Sequence, residues 1–234
     1  MIRRLLFLVP VLLFVAQASA ATEYETVVAS LPASFFVGGC DVGKKQTEDF
    51  EKLYATTVRQ YSWSIVTADA ADRMVGFIGD RGVVDFGAGS GYVSHVLSER
   101  GVDALAFDDW SWGKPAHLWH PVEQGGLSSL VGTDARVLLM AWPPRNDLAL
   151  RALSAWDGDR LIYVGEILRR TASPLFHEAL ARNWHLVERV EIPQWNNRSD
   201  AVYLLVRRDN GGDGLGWLEA EIADCRRVLM KGET

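Results

Sequence analysis

Cysteine is almost missing from this sequence, with Cys40 and Cys225 the two such residues in 234. So sparse a pair supplies neither a disulfide framework nor the CxxC and Cys/His spacings of a zinc site. The histidines, among them His95, His117, His177 and His185, show no ligand spacing either, so no metal is expected. The two thiols read as free and buried; a bridge tying the chain's ends together is the alternative in an oxidising compartment. Positive charge is also in deficit: 24 Lys and Arg stand against 30 Asp and Glu, a formal charge of −6. That sign is wrong for gripping a phosphate backbone by counterion release, so a nucleic acid is not the expected partner. Proline and glycine form no repeat or tract, which excludes collagen-like and linker chains. With 48% apolar and 23% charged residues the chain is not disordered. No internal repeat is present.

Nor is there an unbroken apolar run of about 20 residues, the length a membrane helix needs. The longest candidate, Leu5 to Ala16, is broken by Pro10. Preceded by Arg3 and Arg4 and followed by Ala18-Ser19-Ala20, it reads as a secretory leader over residues 1–20. No stable span is expected in the mature chain, which is placed in the secretory pathway or outside the cell, with a cytoplasmic or organellar home as the alternative. Without the leader, 22 basic residues face 30 acidic ones. The triplet Asn197-Arg198-Ser199 is a glycosylation acceptor pattern that agrees with secretion.

Residues 21–46 read as irregular. Phe50, Leu53, Tyr54 and Val58 recur at helical spacing behind an N-cap at Thr47, and a second helix is expected from Ala68 to Ile78. Short apolar runs follow at 83–86, 103–107, 136–141, 161–164 and 202–206, reading as strands buried on both faces. Helical stretches at 92–100, 147–156 and 174–183 separate them. The expected fold is α/β, a doubly wound, mostly parallel, Rossmann-like sheet with an N-terminal helical extension. Residues 185–192 and 201–207 are expected as an antiparallel pair at the sheet's far edge. The divisions are an extension at 21–80, an α/β domain at 81–208, and a flexible turn with a closing helix at 209–234.

The informative segment runs from Val83 to Tyr92, a buried strand entering Gly87-Ala88-Gly89-Ser90-Gly91 and then a helix. Glycines there let backbone turn sharply and approach a ligand at the carboxyl end of a strand, where open α/β sheets bind. A dinucleotide fingerprint needs Gly or Ala where Tyr92 stands, and no Gly-Lys-Ser/Thr closes a P-loop. What remains is an acid two residues before the first glycine, Asp85, and a second acid, Asp108, at the end of the next strand. In this combination the chain resembles the class I S-adenosylmethionine-dependent methyltransferases, in a small, poorly characterised branch, over roughly residues 62–208. The resemblance implies that Asp108 accepts from the ribose hydroxyls of S-adenosylmethionine. It places Asp85 with Gly87, Ala88, Gly89 and Gly91 at the methionine end. Tyr61 and Trp63, upstream of the loop, are candidates to lie over the same ligand and equally candidates for the core.

Trp142-Pro143-Pro144 stands where such enzymes meet the methyl acceptor, but it departs from the Asp/Asn-Pro-Pro-aromatic pattern of the nucleic-acid amino-methylating members. Trp142 occupies the polar slot and Arg145 the trailing aromatic one. A rigid turn with an aromatic wall suits a small or flat acceptor, and equally a turn that ends a strand. Glu166, Asp109 and His120 are the candidate bases near strand ends. The nine tryptophans could line an acceptor site, though Trp156 and Trp184 read as core. The expected activity is in-line methyl transfer to a small molecule or a protein. An NAD(P)-dependent oxidoreductase and a non-catalytic methyltransferase-like binding protein are the alternatives.

Overall fold

The computed structural model describes residues 19–40, 45–208 and 216–223. The leader's apolar run and the turn at 210–214 lie outside the described residues. Seven strands form one sheet: β1 (Val83–Phe86), β2 (Ala104–Asp108), β3 (Glu123–Gln124), β4 (Val137–Ala141), β5 (Arg160–Gly165), β6 (Trp184–Glu191) and β7 (Ala201–Arg207), in the order β3-β2-β1-β4-β5-β7-β6. All pairings from β3 to β5 are parallel, and β7 runs antiparallel to both β5 and β6. The doubly wound sheet and its antiparallel edge pair are as expected. A two-residue strand such as β3 has no periodicity by which a sequence could announce it.

Period-two alternation explains why the sheet is covered on both sides. Val83, Val137, Leu139, Ile162, Val164, Val202 and Leu204 enter one core with α1 (Glu23–Ala29), α2 (Glu48–Gln60), α3 (Ala68–Ile78) and α4 (Tyr92–Ser98). Their neighbours Val84, Phe86, Leu138, Met140, Leu161, Tyr163, Tyr203 and Leu205 enter the other, with α5 (Leu148–Ala155), α6 (Pro174–Asn183) and the helical residues 216–223. Trp156 and Trp184 are fully buried there and stack at 6.3 Å, so their core reading holds.

Residues 21–46 are not wholly irregular. Thr22 accepts from the Glu25 amide and Glu25 from the Thr22 amide, a capping box that starts α1. The other Glu25 partner is distant, the Ala68 amide at 3.0 Å, and the Tyr24 amide donates to the Tyr92 hydroxyl at 2.9 Å. Seven residues are too few to hold a helix by themselves, and long-range partners supply the rest.

One expectation is corrected. Cys40 is not a free thiol: it is disulfide-bonded and 7% exposed. Asn197, in the acceptor triplet, is 3% exposed at φ 60°, with Gly39 packed beside it. Peptide mapping without reductant is expected to join Cys40 to Cys225, the one other cysteine in the sequence. Reduction should cost about 2–5 kcal/mol of stability; a melting curve indifferent to reductant would contradict this.

Candidate functional site

The strand order diverges between β1 and β4, with β2 and β3 on one side and β5, β7 and β6 on the other. A crevice outside the carboxyl ends of the strands at such a switch point is where open α/β sheets bind ligands. The glycine loop leaves β1 here and Trp142 leaves β4.

The loop is built by anchoring rather than by its own side chains. The Gly87 and Ala88 amides donate to the Phe107 carbonyl at 2.8 and 3.0 Å, and the Gly89 amide donates to Asp108 Oδ2 at 2.9 Å. Gly87, Gly89 and Gly91 have φ of 80°, 56° and 73°, a region that L side chains rarely occupy. At Gly87 and Gly89 a Cβ would meet nothing within 4 Å, so the backbone there faces open space. At Gly91 it would strike Val122 Cγ2 at 2.8 Å and His120 Cβ at 3.0 Å. Three glycines thus serve two purposes: the first two leave the crevice open, and the third admits the following loop.

The acids differ in what they offer. Asp108 is part-buried and also accepts from the Trp110 amide at 2.8 Å, which uses one site on each oxygen and leaves lone pairs for further donors. Asp85 is 1% exposed, points to the α4 side and accepts from Ser94 Oγ at 2.8 Å, while its Oδ1 is buried with no hydrogen-bond partner. Burial, with a smaller push from Asp108, raises its carboxyl to about 7. Asp85 therefore holds the loop's root, with one buried oxygen left without a partner.

Tyr61 is core: it is 8% exposed, stacked on Tyr24 at 4.8 Å and against Trp119 at 5.3 Å. Its carbonyl accepts from Ser90 Oγ, which ties the stretch containing Trp63 to the glycine loop. Trp63 stacks on Trp142 at 5.4 Å, so these two candidates are brought together. Pro143 is buried and its carbonyl accepts from the Ala172 amide at 3.0 Å; Pro144 is part-buried.

The three candidate bases have other employment. Glu166 is fully buried and accepts from Arg170 Nη1 at 3.0 Å and from the Ser199 amide at 3.0 Å, an ion-pair knot that joins two loops. Asp109 is exposed and caps its own turn through the Ser111 amide at 2.8 Å; hydrogen bonding to Ser111, from its side chain first and its amide second, lowers the Asp109 pKa. His120 Nε2 lies 3.1 Å from the Ala104 carbonyl and pins the loop after β2. Sequence reasoning missed Asp200, the residue before β7. It is 1% exposed, and its carboxyl group accepts from Trp142 Nε1 at 2.9 Å and Ser64 Oγ at 3.2 Å. No motif marks it, since its partners lie 58 and 136 positions away.

Two cavities, of about 470 and 400 Å³, lie away from the crevice, one between α3 and the β6–β7 edge, the other between residues 19–23 and α4. Among the described residues no cluster of three or more His, Cys, Asp and Glu could hold a metal, and no helix is long and apolar enough to cross a membrane.

Burial raises the Asp200 carboxyl from an ordinary 3.8 to about 8, with Glu166 adding to the effect. A raised folded pKa means that the native state holds its proton, so this contribution is complete below about pH 4 and is lost as pH rises through about 8. Asp200→Asn keeps an acceptor for Trp142 and cannot titrate. Its melting temperature should fall less than that of the unsubstituted chain between pH 5 and pH 8, and parallel curves would refute this.

No family model matches the sequence, and no curated protein does. Solved structures share the architecture at low identity. A Thermoplasma acidophilum protein designated 1320 is 17% identical, covering 68% of this chain and 97% of its own, with TM-score 0.44. A Streptococcus agalactiae protein of the NADB-Rossmann superfamily is 12% identical over 61% and 68% of the two chains, TM-score 0.42. The Pyrococcus abyssi tRNA (uracil-54, C5)-methyltransferase, in complex with S-adenosyl-L-homocysteine, is 16% identical over 59% and 38%, TM-score 0.40. Several further matches are methyltransferases by name.

Proposed function

We propose that the chain binds S-adenosylmethionine at the β1–β4 crevice and transfers its methyl group to a small-molecule or protein acceptor. The observation that carries this is Asp108, fixed by the Gly89 amide at the mouth of a loop whose first two glycines face open space. The donor carries a ribose diol, an ammonium and a sulfonium. Asp108 has acceptor sites left for the diol, the open backbone at Gly87 to Gly89 lets the ligand approach, and Asp85 lies buried at the root of that loop. Bound there, the molecule supplies an electrophilic methyl group. The protein's part is to hold an acceptor in line with it and keep water away.

Dinucleotide chemistry fits less well. Tyr92, in the slot of the third glycine, is 1% exposed and fills the packing space that a dinucleotide domain keeps for glycine. The antiparallel β7 between β5 and β6 also departs from the 3-2-1-4-5-6 order of that class. A binding protein without catalysis is the second reading, favoured by the engagement of Glu166, Asp109 and His120 in structural bonds. The disulfide at Cys40 supports placing the chain in the secretory pathway, because such bonds persist in oxidising compartments.

S-adenosylhomocysteine is expected to raise the melting temperature and NADH to leave it unchanged. Asp108→Ala should weaken S-adenosylhomocysteine by about 1.5–3 kcal/mol, roughly 10- to 100-fold in Kd by calorimetry. An unchanged Kd would remove Asp108 from the site.

A further inference from the structure

Three indoles from three separate segments meet beside the glycine loop. Trp63 lies in the link between α2 and α3, Trp112 in the loop after β2, and Trp142 after β4. Trp63 and Trp142 stack with planes 14° apart, and Trp112 stands at 90° to Trp63 with centroids 6.4 Å apart. Burial of aromatic carbon accounts for Trp63, which also packs on Tyr54. It does not account for the other two. Trp112 is 76% exposed at the edge of the crevice. Trp142 has φ of 54°, a costly backbone conformation for a bulky side chain, and is held by the buried Asp200 through its indole N–H. Structure elsewhere sustains an aromatic wall that its own packing does not require.

The second observation is chemical. Each acid or imidazole at the neighbouring strand ends is bonded to protein: Glu166 to Arg170 and Ser199, Asp109 to Ser111, His120 to Ala104, Asp200 to Trp142 and Ser64. Glu166 and Asp200 are buried behind these bonds and His120 reaches the first residue of β2, so an acceptor that must lose a proton is left with the exposed Asp109, whose lowered pKa makes it a weak base.

We propose that this indole corner seats the methyl acceptor, and that the acceptor is a planar heteroaromatic base whose neutral ring nitrogen attacks directly. The proposal rests on the methyltransferase reading above. The nitrogen lone pair forms the new N–CH₃ bond as the S–CH₃ bond breaks, and the electron pair of that bond departs on sulfur. The sulfonium becomes a neutral thioether, the positive charge passes to the ring nitrogen, and no proton moves. Indole faces attract a flat cation more strongly than the neutral ring it came from. The same wall therefore binds the transition state better than the ground state, which is the condition for acceleration.

The test uses the full chain, methyl-labelled S-adenosylmethionine and three probes: isoquinoline, 2-naphthol, which must lose a proton, and piperidine, which is neither flat nor neutral near pH 7. S-adenosylhomocysteine calorimetry runs in parallel. N-methylisoquinolinium is expected to form, with the other two products at least about tenfold slower, a difference of 1.4 kcal/mol in barrier. Trp112→Ala, a substitution at an exposed position, should lower kcat for isoquinoline about fivefold, the size of one cation–π contact made only as charge reaches the ring, and leave S-adenosylhomocysteine affinity unchanged. Intact S-adenosylhomocysteine binding overturns the acceptor class alone if isoquinoline is not methylated, if 2-naphthol or piperidine reacts equally fast, or if Trp112→Ala has no effect. Failure to bind S-adenosylhomocysteine overturns the methyltransferase reading as well.

Discussion

Burial of the central sheet on both faces is the constraint from which the rest of the structure follows. Alternate residues of β1, β4, β5 and β7 enter two different cores, so neither face offers polar chemistry a place. Polar groups that must be dry are forced to strand ends and each needs a partner there. Asp85 under α4, Glu166 past β5 and Asp200 before β7 all obey this rule. Asp85 Oδ1 is one of a few buried polar atoms among the described residues that have no hydrogen-bond partner. It sits at the root of the glycine loop, beneath α4.

The loops around the crevice are coupled through side chains rather than through the sheet. Asp108 fixes the glycine loop to the end of β2, and Ser90 ties it to Tyr61 and hence to Trp63. Trp63 stacks on Trp142, which Asp200 holds. Asp200 follows Ser199, whose amide is bound by Glu166. The donor end and the acceptor end of the proposed reaction are thus joined by a short chain of direct contacts. The disulfide at Cys40 bears on the same assembly, because the neighbouring Gly39 amide donates to the Arg198 carbonyl at 2.9 Å.

Strands and helices with clear periodicity were legible in the sequence to within a residue or two, as were the Thr47 cap and the divergence of glycine spacing from a dinucleotide pattern. α1 was not, because its stability comes from Ala68, Tyr92 and Trp195 rather than from its own seven residues. The candidate bases were misleading for a related reason. A sequence places an acid near a strand end, but Glu166 becomes unavailable through Arg170 and Ser199, the second of them 33 residues away. Asp200 shows the converse: nothing local distinguishes it from an ordinary loop aspartate.

By itself the sequence determined the class of fold, the glycine loop and the acid that faces it, because local propensity, two-residue alternation and spacing along one strand–loop–helix unit are properties of neighbouring residues. It also settled the acidic balance that disfavours a polyanionic partner. Tertiary structure alone decided which polar groups are engaged, which tryptophans meet, that Cys40 is bridged and that Asn197 is buried. Those outcomes depend on burial and on partners brought together from across the chain, and neither is encoded in the identity of any single position.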